Sequence, residues 1–415
     1  MSKPALWTRD FVFITFTTFL GFLPFYLLMT TMAGYTMGRF GAAEGMAGLS
    51  AGMFVIGALV SRLFAGKYME AVGRRRLLFA SLAVYMLCAF LYFPAGSLEM
   101  LLAVRFAHGA AFGFSSTVLS TAVMGVIPDE RRGEGTGYYG LSIALATAVG
   151  PFLGFTIIRH ANYGMLFVAC ALLTAAAIVM SIFTRIPESE ITPEQIAALR
   201  SFHAADIFEK SAVPLSAVIF IMVVGFSGVV TFLNSYATSI DLTAPAGYFF
   251  IVYSGAVLVS RPFTGRLLDK KGDNALLCPA ILIFAASLTV LGRADSGPML
   301  LLAGAMAGVG FGTFMSCGQA VIVKVSPRHR IGLAISTYFF FLDAGMGLGP
   351  YLVGSIIPLL GFRGMYLTLS GVVFLGFVLY CFVHGNRAGV RSAPGTGQGL
   401  TPGIGRREAR CDAGN

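Results

Sequence analysis

Charge is what this chain lacks. Only 12% of its 415 residues are Asp, Glu, Lys or Arg, about half the share in a soluble globular domain. Too few polar side chains remain to coat a water-facing surface of this size, so a soluble fold is excluded. Period-two alternation is missing as well. Apolar runs of about 20 residues recur from end to end, and their continuity excludes barrel strands. The six cysteines, Cys88, Cys170, Cys278, Cys317, Cys381 and Cys411, contain no pair with metal or redox spacing. All but the last lie in apolar runs, where a free Cys acts as a small apolar residue. No metal and no cofactor is therefore expected. No Gly-Lys-Ser/Thr phosphate loop is present, so ATP does not drive the protein directly. A nucleophile–base pair and a soluble signalling domain are also absent, which argues against a membrane enzyme or a sensor. The net charge of +10 lacks a basic aromatic face to track a nucleic-acid backbone, so nucleic acid is not a partner.

What remains is an integral membrane protein. Each apolar run is long enough to cross ~30 Å of hydrocarbon. Inside lipid every backbone N–H and C=O must be bonded internally, so such runs are helices. The expected class is all-α, with twelve transmembrane helices near 11–38, 43–64, 77–95, 99–125, 133–158 and 163–183, then 212–239, 245–264, 275–293, 298–325, 331–357 and 362–384. Ser2 to Asp10 is short and polar, and no small-residue cleavage site follows the first run, which reads as a span and not a signal peptide. The chain divides into a six-helix half (1–183), a polar connector with Pro187 and Pro193 (184–211), a second six-helix half (212–384) and a tail rich in Gly, Pro and Arg (385–415). The tail cannot bury a core and is expected to be disordered.

Lys and Arg set the orientation, because cytoplasmic loops carry them in excess. With both termini inside, Arg39, Arg159, Arg293 and Arg363 face outside and Arg62, Arg105 and Arg261 fall in spans or at their ends. The other 22 of the 29 are cytoplasmic. The expected location is a bacterial plasma membrane.

The chain also matches itself at a shift of 199 residues. Val60-Ser61-Arg62 falls on Val259-Ser260-Arg261, Gly66 on Gly265, Glu70 on Asp269 and Gly73 on Gly272. Gly109 meets Gly308, Gly113 meets Gly312, Pro128 meets Pro327, Arg131 meets Arg330 and Gly150-Pro151 meets Gly349-Pro350. No gap is needed from residue 60 to about 154. Two halves in the same orientation imply a pseudo-two-fold axis along the membrane normal. Substrate then binds near the midplane between them, and rocking of the halves alternates access.

The loop after span two reads Gly66-Lys-Tyr-Met-Glu70-Ala-Val-Gly73-Arg74-Arg75-Arg76, and its copy reads Gly265-Arg266-Leu-Leu-Asp269-Lys270-Lys271-Gly272. This resembles the signature loop of the major facilitator superfamily: an acid four residues after a Gly, then a Gly and a basic run. The first copy departs from it with Glu70 in place of Asp and Ala71 in place of a base. In span four, Arg105-Phe-Ala-His108-Gly109 resembles the family's Arg-x-x-Gln-Gly element, with His108 in place of Gln. In span five, Gly140, Ala146, Gly150-Pro151 and Gly154 are similar to the glycine–proline element of its proton-linked antiporters, and span eleven carries a copy from Gly345 to Gly354. The resemblance, covering about 11–384, implies a secondary transporter of the efflux branch. The loop residues Gly66, Glu70, Gly73, Arg74, Gly265, Asp269 and Gly272 would form a cytoplasmic gate.

An ionisable group in a span is costly to insert and marks a functional site by default. Asp343, inside Phe339-Phe-Phe-Leu-Asp343-Ala-Gly, is the one carboxylate placed deep in the membrane. It is read either as a proton or substrate site or as a structural partner for an Arg or a backbone donor. His108 lies three residues from Arg105 on one helix face. It is read as a proton carrier, since imidazole titrates near neutrality, or as a hydrogen-bond donor. Tyr26, Thr30, Ser116, Tyr139, Asn234, Tyr253, Gln319 and Tyr338 are candidate cavity linings. The function expected is proton-coupled export of a small molecule (a drug, sugar or metabolite) by a monomer. Two alternatives stand beside it. One is proton-coupled uptake of an organic acid or sugar. The other is export of an opine-type metallophore, whose exporters Gly310 to Pro350 resembles.

Overall fold

In the computed structural model the described residues are 5–128, 131–186, 208–326 and 331–385. Among them there is no strand. Twelve long helices follow in order: α1 (Arg9–Phe40), α2 (Glu44–Val72), α3 (Arg74–Leu91), α4 (Leu98–Val126), α5 (Arg132–His160), α6 (Tyr163–Ile182), α7 (Val213–Ser239), α8 (Thr243–Lys271), α9 (Asn274–Gly292), α10 (Gly297–Val325), α11 (Ile331–Gly354) and α12 (Ile357–Tyr380). They fall on the twelve expected runs. Most of the connector and the tail after Gly385 lie outside the described residues.

Polar caps set several boundaries. Thr8, Ser97 and Asn162 accept side-chain hydrogen bonds from the backbone N–H of Phe11, Met100 and Met165 at 3.3, 3.2 and 3.0 Å. Each satisfies a donor that the first helical turn leaves orphaned. Gly73 and Gly272 sit at φ +90° and +81°, where a side chain is rarely accommodated. They are 199 residues apart, so both copies of the signature loop make the same kind of backbone reversal. Gly361, at φ +66° and ψ 176°, breaks α12, which is why the continuous span begins at 362 as expected.

Ten of the helices are long and apolar enough to cross a membrane. The exceptions are α3 and α11. The 18 residues of α3 begin with Arg74, Arg75 and Arg76, and α11 carries Asp343 among glycines and tyrosines. Both still pack into the bundle, α3 on α4 and α6, and α11 on α2 and α7. The outer surface is greasy, with Leu172, Val259, Leu375 and Phe382 more than 60% exposed. Such a surface calls for a lipid solvent.

The helices group as α1–α6 and α7–α12. The groups meet where α2 crosses α11, α5 crosses α8 and α1 lies on α7. The α2–α11 crossing is made by glycines. A Cβ on Gly48 would lie 1.9 Å from the Pro350 carbonyl oxygen, one on Gly52 1.9 Å from that of Gly347, and one on Gly354 2.4 Å from that of Glu44. No side chain fits there, so backbone touches backbone, as small residues permit in membrane helices. This contact lies at the end of the bundle that carries the α1–α2 connection.

Candidate functional site: an ion pair between the halves

Arg62 reaches from α2 to α11, where its Nη1 donates to Oδ2 of Asp343. The Asp343 side chain is 7% exposed and that of Arg62 28%. The carboxylate is thus sealed on its own helix while the guanidinium looks partly into open space. Separating the halves at this level would strand a charge in low dielectric.

Tyr139 of α5 collects two hydroxyls nearby. Thr18 of α1 donates to its phenol oxygen at 3.3 Å, and Ser120 of α4 lies 3.0 Å from it. On the other side Tyr253 of α8 stacks on Phe226, whose ring stacks on Phe311 at 4.1 Å. Among the other expected cavity residues, Tyr26 packs against Phe25, while Asn234 and Gln319 are partly buried. Thr30 and Ser116 donate to carbonyls of their own helices, and Tyr338 donates to the Met315 carbonyl at 3.0 Å. These bonds to backbone carbonyls account for those three hydroxyls.

Arg105 and His108 occupy a separate, sealed cluster. Arg105 is fully buried. Its Nε donates to the Ser50 carbonyl at 2.8 Å and its Nη2 to that of Ala51 at 2.9 Å, while its guanidinium lies 4.8 Å from the centre of the Phe54 ring. Nη1 donates to the Tyr92 hydroxyl at 3.4 Å, and that hydroxyl is 2.9 Å from Nδ1 of His108. Because Arg105 supplies one hydrogen to the phenol oxygen, the phenol proton is free for Nδ1. Nε2 of His108 has no hydrogen-bond partner among the described residues, and the ring is walled by Tyr85 at 4.2 Å and Phe54 at 5.3 Å. The geometry pins α4 to α2 inside one half. Neither residue faces the boundary between halves.

The glycine–proline element also has a packing role. A Cβ on Gly150 would lie 2.7 Å from Cβ of Tyr26, and one on Gly154 3.0 Å from Cγ2 of Thr31. With Pro151 inside α5, these glycines seat α5 against α1. Gly140 is different: an added Cβ there would meet only Nη1 of Arg261, at 3.9 Å. In the signature loops, Arg74 is buried, while the side chains of Glu70 and Asp269 and the surroundings of Gly66 and Gly265 lie outside the described residues.

Comparison with known proteins decides the family. The model of the Major Facilitator Superfamily matches residues 14–291 and 246–412. The chain belongs to this superfamily. Its relatives include the staphylopine export protein of Staphylococcus aureus, 23% identical over 82% of this chain and 87% of that protein. Another is the uncharacterized MFS-type transporter MJ1560 of Methanocaldococcus jannaschii, 25% identical over 85% and 91%. Among solved structures, a POT family transporter bound to a thioalcohol-conjugated peptide superposes with a TM-score of 0.77. It is 13% identical and the match covers 91% of this chain and 96% of that one. The nucleoside transporter NupG superposes with a TM-score of 0.75 at 14% identity, over 90% and 99%. At these identities the structures speak for the fold alone. This major facilitator protein is a multi-pass membrane transporter, not an enzyme.

In this superfamily member the sequence pointed to Asp343 but left its partner open. Arg62 was missed as a site residue. The signal was available: an intramembrane acid and three span-borne arginines invite pairing, and only Arg62 takes it up among the described residues.

Proposed function

We propose that this transporter exports a small molecule in exchange for protons, with Asp343 as the coupling carboxylate. The observation that carries the reading is the Arg62–Asp343 pair between α2 and α11. A proton on Asp343 cancels its charge and releases Arg62, which loosens one of the contacts holding the halves together. Loss of that proton re-forms the pair. The relative named for staphylopine export and the multidrug resistance protein MdtG of Salmonella dublin, 29% identical over 39% of this chain, support an export direction. If both termini lie in the cytoplasm, the glycine crossing sits toward the outside, which supports loading from the cytoplasmic side.

The test uses everted membrane vesicles with a pH-sensitive dye and a substrate panel. Wild type releases protons when a substrate is added. Asp343→Asn, at equal expression, still exchanges substrate down its own gradient but shows no proton release and no accumulation. Full gradient-driven transport by this variant rejects the carboxylate as the coupling group. Substrate-dependent proton movement of the opposite sign rejects export.

A further inference from the structure

The two halves are not equivalent at the pair. Residue 62 corresponds to residue 261 at the 199-residue repeat, and 343 corresponds to 144. Arginine is therefore kept in both halves, but the position of the acid is Ala144. Arg261 on α8 and Ala144 on α5 line one cleft of about 330 Å³, together with Leu141, Ala148, Leu258 and Ser254. Arg261 makes no ion pair with any described residue. It lies within α8 (Thr243–Lys271) and is exposed, so it is open to a counter-ion from outside the chain. Beside its guanidinium the wall is bare, because Gly140 offers no side chain. The cleft is otherwise almost wholly apolar and of a size that fits a small ligand.

We propose that this cleft binds a small apolar carboxylate, whose head pairs with Arg261 in the position that Asp343 fills against Arg62. The proposal rests on the transport reading, since it names the substrate class. A planar carboxylate suits the forked donors of a guanidinium, and the apolar body lies along Leu141, Ala148 and Leu258. Cargo would then complete one half with the group that the chain itself supplies in the other. Binding neutralises Arg261 and adds a tie between α5 and α8, opposite the tie between α2 and α11.

Binding of dansylglycine and its uncharged analogue dansylamide to the purified full chain in lipid nanodiscs, read by fluorescence, tests this without any gradient. Wild type should bind the carboxylate at least tenfold more tightly than the amide. Arg261→Gln should abolish that preference and Arg261→Lys should keep part of it. Ala144→Asp should abolish it too, by placing an internal carboxylate beside Arg261, while the similarly sized Ala144→Asn should retain it. Asp343→Asn should leave it intact even where coupling is lost, which separates this proposal from the coupling role. Equal affinities in wild type, no binding of either probe, or a preference that survives Arg261→Gln overturns it and leaves Arg261 as a headgroup anchor.

Discussion

Asp343 and Arg62 form a pair that belongs to neither half of the molecule: the acid sits on α11, the base on α2, and the acid is the more deeply buried partner. The asymmetry has a measurable consequence. Arg62→Gln leaves a buried carboxylate without its partner, a loss of about 3–5 kcal/mol. Asp343→Asn leaves a partly exposed guanidinium that water can reach, so less than about 1 kcal/mol is expected. Thermal unfolding of both variants in detergent should show the larger drop for Arg62→Gln. Equal drops would mean that the two groups are equally desolvated.

Arg105 should tolerate no replacement. Lys keeps the charge but lacks the planar fork that aims separate nitrogens at the Ser50 and Ala51 carbonyls and the Tyr92 hydroxyl, so Arg105→Lys should lose about 1.5–3 kcal/mol and impair transport while inserting normally. His108→Gln keeps a partner for the Tyr92 hydroxyl and should leave proton coupling in place. Loss of coupling in His108→Gln with normal stability would move the proton site into this cluster.

The glycine crossing predicts a shift in conformational balance. In Gly52→Ala the new Cβ meets the Gly347 carbonyl oxygen, and overpacking of this kind costs about 1–3 kcal/mol. That corresponds to roughly a 5- to 150-fold change in population away from the packed crossing. Thiol labelling of a Glu44→Cys reporter from the α1–α2 side should speed up accordingly. Gly38→Ala, whose Cβ would meet nothing within 4 Å, serves as the control. Unchanged labelling in both would show that the crossing yields without opening.

Gly272 separates conformation from space. An added Cβ there has nothing within 4 Å, yet φ is +81°. Gly272→Ala should therefore lose about 1–3 kcal/mol through backbone strain alone, and Gly272→Asn less, because Asn enters positive φ more readily. A thermal shift of equal size for the two would assign the effect to the basic loop instead.

The fold was legible because the membrane imposes it. Span-length apolar runs leave helices as the structure, and the repeat from Val60 to Gly154 sets their pairing into halves. The span start at 362 was readable from the sequence and proves to be enforced by Gly361. The site was legible only in part. Asp343 stands out because charge is rare in α11, whereas its partner lies 281 residues earlier on another helix, beyond any local pattern. Thr30, Ser116 and Tyr338 were drawn in by polarity alone. A hydroxyl in a helix can bond to its own backbone or, as Tyr338 does, to a neighbour's, and sequence does not distinguish these from a cavity lining.

Where α2 crosses α11, two smooth strips of main chain press together without teeth. Meshed side chains must change rotamer before helices can part; bare backbone has nothing to disengage. We expect parting here to be quick and to pass through few intermediate positions, leaving the Arg62–Asp343 pair as the slow step. The pace of the cycle would then follow the lifetime of one ion pair, and dwell times from single-molecule distance records should lengthen or shorten with that pair alone.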